Sequence, residues 1–168
     1  MSIHRSLQFA SALIVGIALS PALASAQKVD SYSPADLAQL HGKLAAQKSP
    51  KNGIASIMLE KYPGHFTEII LRHHSGEAEL HKQMADFFIV VDGHATLRTG
   101  GTIANPRDIG PGEVHGSSVE GGQETRLEKG SIIHLPANVP HQLMLDAGQT
   151  FTYFVIKVNE HETGSSNP

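Results

Sequence analysis

Seven short apolar runs, separated by turns that contain glycine, constrain the fold of residues 54–158 more than any other feature. Each run is four to eight residues long and most are rich in β-branched or aromatic residues, which favour strands. The runs are Ile54–Glu60, Phe66–Arg72, Asp86–Val91, Ala95–Thr99, Ser131–Leu135, Gln142–Leu145 and Phe151–Val158. Many short strands joined by turns are typical of a β-sandwich or β-barrel. The pattern therefore predicts an all-β domain over this range.

A Gly- and Pro-rich segment, residues 99–123, interrupts this series of strands. It contains Asn105-Pro106 and Gly110-Pro111-Gly112, which are turn-forming sequences. We predict that the segment forms a long hairpin arm or loop. A loop of this length inside a compact domain is often functional.

The first 26 residues have the pattern of a secretory signal peptide. A short basic start precedes an uncharged apolar stretch, Leu7–Leu19, and Ala24-Ser25-Ala26 provides a small-x-small cleavage site. The stretch is too short to span a bilayer comfortably, although an uncleaved anchor is the alternative. We expect cleavage after Ala26 and export of the mature chain, to the periplasm if the source is Gram-negative, with no membrane segment remaining.

Residues 27–53 are predicted to be a helical segment that precedes the strands. Ser33 is a good N-cap, Pro34 suits the first helical position and Asp36 suits the first turn. We predict a short helix over residues 34–47, with its leucines against the outside of the core. The polar residues 159–168 are predicted to be a disordered tail.

Composition excludes several classes of function. The 168-residue chain has a net charge of −3 and no basic stripe, so nucleic acid is not an expected partner. It has no cysteine, which excludes disulfides and thiol nucleophiles. Eleven histidines, against three tyrosines and no tryptophan, mean that a metal site would use imidazole and carboxylate ligands.

Two motifs concentrate the residues that can bind a metal. They are Glu79-x-His81-x4-Asp86-x6-Gly93 and Gly130-x5-Pro136-x-Asn138-x2-His141. Glu79 and His81 are two residues apart, so on an extended strand their side chains point to the same side. Pro140 fixes a turn before His141, which starts a new apolar run and is expected to point inward.

These motifs resemble those of the cupin superfamily, which are G-x5-H-x-H-x3–4-E-x6-G and G-x5-P-x-G-x2-H-x3-N. The first motif here has Glu79 in place of the first His and Asp86 in place of Glu, and it lacks the leading Gly. The second departs at Asn138 and Leu145. The resemblance covers nearly all of residues 54–158. It implies an all-β, double-sheet jelly-roll barrel, often paired into a dimer by its outer sheet.

In metal-binding cupins the motifs supply the ligands of a divalent ion. The resemblance implies four ligands in this chain: Glu79, His81, Asp86 and His141. This set of imidazoles and carboxylates suits Mn²⁺ or Fe²⁺, and Zn²⁺ is the alternative. Two other interpretations stay open: a shifted register would put Gln83 in the second-His position, or the first-motif residues are exposed and no metal binds.

The alternation of side chains along the strands predicts the pocket lining. Phe88 and Val90 share a face with Asp86, and Leu143 shares a face with His141. The full set of candidate pocket residues is Gln83, Phe88, Val90, His134, Leu143 and Tyr153. A half-buried residue at the barrel rim also explains His134, and core packing also explains Tyr153.

Two functions follow from the sequence. One is an exported cupin that binds a divalent metal and acts on an unidentified small molecule, with dioxygenase, isomerase or lyase chemistry. The other is a metal-free cupin that binds a small molecule without catalysis. In both cases we expect a homodimer formed through the outer face around Phe87 and Ile89.

Overall fold

The computed structural model describes residues 29–47 and 51–160. Residues from Tyr32 onward form one compact unit, and residues up to Ser31 form another, of which residues 29–31 are described. The predicted signal peptide and residues 161–168 of the predicted tail lie outside the described residues. Within residues 29–47 and 51–160, no helix combines the length and apolar character needed to cross a membrane.

One helix, α1 (Pro34–Ala45), precedes the strands and ends two residues before the predicted boundary. Its start is a capping box: the Asp36 N–H donates to Ser33 Oγ (3.2 Å), and the Ser33 N–H donates to Asp36 Oδ2 (2.8 Å). Leu44 on the apolar face is fully buried. It packs in a cluster with Ala55, Ile69 and Leu71. The helix therefore covers the outside of the first two strands.

Twelve strands follow in the described part of the chain. They are β1 (Ile54–Tyr62), β2 (His65–Arg72), β3 (Ala78–His81), β4 (Met84–Thr99), β5 (Thr102–Ala104), β6 (Arg107–Gly110), β7 (Glu113–Gly116), β8 (Ser118–Glu120), β9 (Gln123–Glu128), β10 (Ile132–Leu135), β11 (His141–Met144) and β12 (Phe151–Asn159). The all-β prediction with one short N-terminal helix is therefore confirmed.

The strands pair antiparallel into a sheet that curls into a half-barrel. Its order is β1-β2-β12-β4-β11-β3-β7-β6, and β9 and β10 also pair with β4. The first half of β4 pairs with β12 and β10, and the second half pairs with β9 and β11. Strand β4 thus belongs to both walls of the barrel, as a double-sheet architecture requires.

The Asp92-Gly93 sequence between the runs Asp86–Val91 and Ala95–Thr99 predicts a tight turn. This prediction is wrong, because β4 continues through both residues. Gly93 has φ +77°, and the register with β12 shifts between Thr152 and Tyr153. Such a bulge bends a strand without ending it. A side chain at Gly93 would place its Cβ 2.1 Å from the Thr150 carbonyl oxygen, so only glycine allows this close approach.

Of the two alternatives for residues 99–123, a hairpin arm or a loop, the structure shows a hairpin arm over residues 102–120. Strand β5 pairs with β8 at its base and β6 pairs with β7 towards its tip. Strand β7 also pairs with β3, which attaches the arm to the barrel wall. The arm therefore brings its own residues next to the strand that carries Glu79 and His81.

The core of the barrel follows the predicted alternation along β4. Phe88 and Val90 are buried, whereas Phe87 and Ile89 on the opposite face are partly exposed. The main cluster also takes residues from β11 and β12, including Leu143 and Tyr153. This apolar cluster forms the floor beneath the polar residues described next.

Candidate functional site

Three of the four predicted ligands come together in the barrel interior. Glu79 and His81 lie on β3, and His141 starts β11 directly opposite Glu79 in the ladder. One potential ligand atom from each of the three residues lies within 4.8 Å of the other two. Both histidines are buried. The two motifs therefore build one enclosed cluster of donor atoms.

The turn before His141 is tied directly to the strand that carries His81. The Asn138 N–H donates to the His81 carbonyl oxygen at 2.8 Å. Asn138 has φ +63°, in the left-handed region that glycine and then asparagine adopt most readily. This explains why asparagine can replace the glycine of the motif without changing the turn.

Each histidine is oriented by a hydrogen bond at Nδ1. His81 Nδ1 contacts a Glu113 carboxylate oxygen, and His141 Nδ1 lies 3.0 Å from the Val139 carbonyl oxygen. His81 Nε2 then faces Glu79 Oε2 at 3.7 Å. Metal-ligating histidines are typically held in this way, with Nδ1–H bound to an oxygen and Nε2 directed at the ion. Glu113, from the hairpin arm, was not predicted by the sequence.

Asp86, the fourth predicted ligand, is bound by a lysine that sequence reasoning missed. Lys157 Nζ lies 2.8 Å and 2.9 Å from the two Asp86 carboxylate oxygens. The same Nζ is 2.9 Å from His81 Nε2, which is itself 3.4 Å from Asp86 Oδ2. The buried Asp86 charge is thus compensated by Lys157. The only sequence signal for Lys157 is that it is the single charged residue in the apolar run Phe151–Val158.

A second buried cation, Arg72, supports Glu79. Arg72 Nη2 donates to Glu79 Oε1 and Arg72 Nε donates to the Tyr153 hydroxyl, both at 3.1 Å. Both Arg72 and Tyr153 are nearly inaccessible to solvent. Tyr153 was a predicted pocket residue, whereas Arg72 was not predicted. Its position at the end of the apolar run in β2 is the only sequence signal.

These residues surround a cavity with an empty volume of about 360 Å³, which includes its open mouth. The predicted residues Phe88, Leu143 and Tyr153 form part of the wall, beside Arg72 and Lys157. The cavity therefore combines an apolar floor with charged walls, as small-molecule sites commonly do.

Three predicted pocket residues lie elsewhere. Gln83 is exposed after β3, and Val90 is a core residue outside the cavity lining. His134 points outward, because its neighbour Leu135 takes the inward position on β10, and its ring stacks on Phe87 with centroids 4.3 Å apart. The rim interpretation of His134 therefore fits the structure better than a pocket role.

Burial and charge act against each other on the ionisable groups of this site. Burial raises the pKa of Glu79, but Arg72 and the neighbouring cationic groups lower it further than burial raises it. The pKa of Asp86 is also lowered overall: burial raises it, but the contacts with His81 and Lys157 lower it by more. Burial lowers the pKa of His141. Ionised carboxylates and a neutral His141 are the states that bind metal ions. His81 differs: burial lowers its pKa, but the contacts with Asp86 and Glu113 raise it by more, which favours the protonated ring that a metal ion would have to deprotonate.

Comparison with known proteins identifies structural relatives. Scans against protein-family models and against curated proteins give no match. The TT1209 protein from Thermus thermophilus is 12% identical, with a TM-score of 0.51, over 72% of this chain and 95% of that protein. The Schizosaccharomyces pombe Cnp3 cupin domain is 10% identical, with a TM-score of 0.48, over 70% and 67%. A Desulfitobacterium hafniense cupin superfamily protein is 12% identical, with a TM-score of 0.47, over 70% and 87%.

The two motifs lie on neighbouring strands of one antiparallel half-barrel. Strand β11, which starts at the second-motif His141, pairs with both β3 and β4, which carry the residues of the first motif. The chain has the cupin fold. Identities this low describe the fold alone, so what this cupin barrel binds has to be argued from its own residues.

The cupin barrel without metal should lose stability on acidification. The pKa values of Asp86 and Glu79 lie below their ordinary values of 3.8 and 4.5. Their stabilising contribution is therefore complete above those values and is lost as the pH falls through the lower folded pKa. His141 acts in the same direction below its ordinary pKa of 6.5, because the folded chain holds it neutral. His81 acts in the opposite direction near that pH, because its pKa is raised in the folded chain.

Urea unfolding of the metal-free chain at pH 7, 5, 4 and 3 measures this effect. We expect the midpoint to fall from pH 5 to pH 3, where the two carboxylates become protonated. The variant Asp146→Asn, which changes an exposed carboxylate outside the cavity, should follow the same curve. A midpoint that stays constant or rises between pH 5 and pH 3 would contradict the assigned charge states of Glu79 and Asp86.

Proposed function

We propose that this chain binds a divalent metal ion through Glu79, His81 and His141 and uses it on a small molecule in the adjacent cavity. The observation that carries the proposal is the orientation of the two imidazoles. Both Nδ1 atoms are bound to oxygens, and the three donor groups converge within 4.8 Å. Two histidines and one carboxylate form the set used by Fe²⁺ and Mn²⁺ enzymes, and Zn²⁺ accepts the same ligands.

The ion, when bound, would supply a Lewis acid that polarises a carbonyl or hydroxyl oxygen of the ligand. The protein residues have separate tasks. Arg72 holds Glu79 through one carboxylate oxygen, and Glu113 holds the His81 ring. Lys157 keeps Asp86 ionised next to the site. The buried apolar floor keeps most water out, which strengthens each of these charge interactions.

A second candidate function, metal-free binding of a small molecule, is favoured by Lys157. Its ammonium group contacts His81 Nε2 and both oxygens of Asp86, which are donor atoms that a metal would use. In this alternative the lysine takes the place of the cation. The ligand would then be held by hydrogen bonds from the charged walls of the cavity.

Measuring bound metal separates the two candidates. The chain is purified without a tag or chelator, reconstituted anaerobically with Fe²⁺, Mn²⁺ or Zn²⁺, and analysed by inductively coupled plasma mass spectrometry. We expect about one ion per chain. His141→Ala should lower the affinity at least about tenfold, because loss of outer-shell partners alone costs that much.

His134→Ala is the matched control, since it removes an exposed imidazole that stacks on Phe87. It should retain the metal content of the unchanged chain. No bound metal after reconstitution, or equal metal in His141→Ala, would refute the three-residue site. Metal-free binding would then be the better proposal.

The proposal also retains two expectations from the sequence. The signal-peptide pattern supports export of the mature chain, with cleavage after Ala26. The partly exposed apolar side chains of Phe87 and Ile89 on the outer face support pairing of two copies there.

A further inference from the structure

The guanidinium group of Arg72 has one nitrogen that the protein does not use. Nε and Nη2 donate to Tyr153 and Glu79. Nη1 is buried and has no hydrogen-bond partner among the described residues. Buried donors of a charged group are nearly always paired, because water no longer solvates them. The unused nitrogen therefore indicates an acceptor that arrives with a ligand.

The surroundings of Nη1 are shaped by the absence of a side chain at Gly76. A Cβ atom on Gly76 would lie 2.4 Å from Arg72 Nη1. The Gly76 backbone is fixed in place, since its N–H donates to the Leu143 carbonyl oxygen (2.9 Å) and its carbonyl accepts from Gln142 Nε2 (3.0 Å). Arg72, Leu143 and Gln142 all line the cavity. The Arg72 guanidinium therefore lies at the cavity wall against a fixed segment of backbone.

Most charged side chains at the cavity are paired with one another. Arg72 is paired with Glu79, and Lys157 is paired with Asp86. Glu113, which contacts His81, adds one more negative charge. A divalent ion bound by Glu79, His81 and His141 would bring two positive charges, of which Glu113 offsets one. In a buried site such an excess is costly unless a bound anion neutralises it.

We propose that Arg72 binds the carboxylate of the ligand, and that the ligands of this chain are small carboxylic acids. The inference rests on the proposed function, because the ion would hold the other end of the same molecule. Arginine presents pairs of N–H groups that match the two oxygens of a carboxylate. Nη1 carries two N–H groups, so it can donate to the carboxylate of the acid while Nη2 stays on Glu79. The positive charge of a bound ion would strengthen the attraction of this site for the acid.

Isothermal titration calorimetry with lactate on the zinc-loaded chain tests this proposal. Propane-1,2-diol is the matched uncharged probe, because it keeps the hydroxyl and replaces the carboxylate. We expect lactate to bind and the diol to bind at least about tenfold more weakly. Lactate affinity in Arg72→Gln should fall about 10- to 100-fold, the usual effect of losing a charge-assisted pair. Equal affinity for lactate and the diol would overturn the proposal.

Three further variants control for folding and charge. Arg126→Gln removes a cation outside the cavity and should leave lactate binding unchanged. Arg72→Lys keeps the charge but loses the paired N–H groups, so it should resemble Arg72→Gln. Gly76→Ala moves a methyl group onto Nη1 and should weaken lactate binding while all ligand side chains remain. Retained lactate binding in Arg72→Gln, with an intact circular dichroism spectrum, would overturn the proposal.

The same titrations separate failure of this inference from failure of the metal site. Normal zinc content without Arg72-dependent lactate binding would overturn only the carboxylate proposal. Inorganic phosphate that binds through Arg72 when lactate does not would also overturn it, in favour of a phosphate ligand. A chain that binds no metal refutes the proposed function. If that chain still binds lactate and Arg72→Gln abolishes the binding, the role of Arg72 is supported. If that chain does not bind lactate, the role of Arg72 is refuted.

Discussion

Lys157→Met should lower the free energy of unfolding of the metal-free chain by about 3–5 kcal/mol at pH 7. The variant keeps most of the side-chain volume but removes the ammonium group that contacts both oxygens of Asp86. Asp86 is only 2% exposed, so its buried carboxylate would lose its lysine and keep only the His81 ring, 3.4 Å away, as an ionisable partner. Urea unfolding followed by circular dichroism measures the change.

Two comparisons make this result specific to the buried pair. Lys129→Met removes an exposed lysine that lies 3.9 Å from Asp92, and it should change the stability by less than about 1 kcal/mol. The double variant Asp86→Asn/Lys157→Met should recover much of the loss, because it removes both charges. Lys157→Met as stable as the unchanged chain would show that Asp86 does not need Lys157.

The same variant distinguishes the two candidate functions. If Lys157 competes with a metal for His81 and Asp86, Zn²⁺ should stabilise Lys157→Met more than it stabilises the unchanged chain. Stabilisation by a bound ion follows directly from its concentration relative to Kd. An equal or smaller effect of Zn²⁺ on Lys157→Met would argue that the ion and the lysine occupy separate places.

Gly93→Ala should have the second large effect, a loss of at least about 3 kcal/mol in the free energy of unfolding. Alanine must adopt φ +77° and would place its Cβ 2.1 Å from a backbone oxygen of Thr150. That oxygen cannot move without shifting the start of β12. Relief of the clash would disturb the passage of β4 from one barrel wall to the other.

Gly64→Ala is the matched control for the backbone conformation. Gly64 has φ +85°, but a Cβ there would meet no atom within 4 Å. The free energy of unfolding of Gly64→Ala should fall by only about 1–2 kcal/mol, which is the cost of placing alanine in the left-handed conformation. The difference between the two urea midpoints isolates the clash at Gly93. Equal losses would mean that the strand bend tolerates a side chain.

The strands of the walls could be predicted from the sequence, because alternation and turn residues are local signals. The N-cap Ser33, followed by Pro34 and by Asp36 in the first turn, predicted the start of α1 in the same way. The continuity of β4 could not be predicted, since a bulge and a hairpin turn both use glycine with positive φ. Only the pairing of the flanking segments with different strands distinguishes them.

The site residues also divide into those that local sequence signals predict and those that depend on contacts between distant parts of the chain. Motif spacing identified Glu79, His81 and His141, which the structure places together. Arg72 and Lys157 were missed, because the lysine is 71 residues from Asp86 in the sequence. Their role depends on which strands become neighbours in the sheet. No local sequence pattern predicts that two strands will place opposite charges in one cavity.

Because Glu113 in the hairpin arm forms a hydrogen bond with His81, the arm limits how this barrel can be altered. Surface hairpins are usually the parts of a domain that can be shortened or exchanged freely. Here the arm supplies the oxygen that orients a buried imidazole. Trimming or transplanting residues 102–120 would therefore change the interior of the barrel, and an exchange of this arm must preserve a carboxylate at position 113.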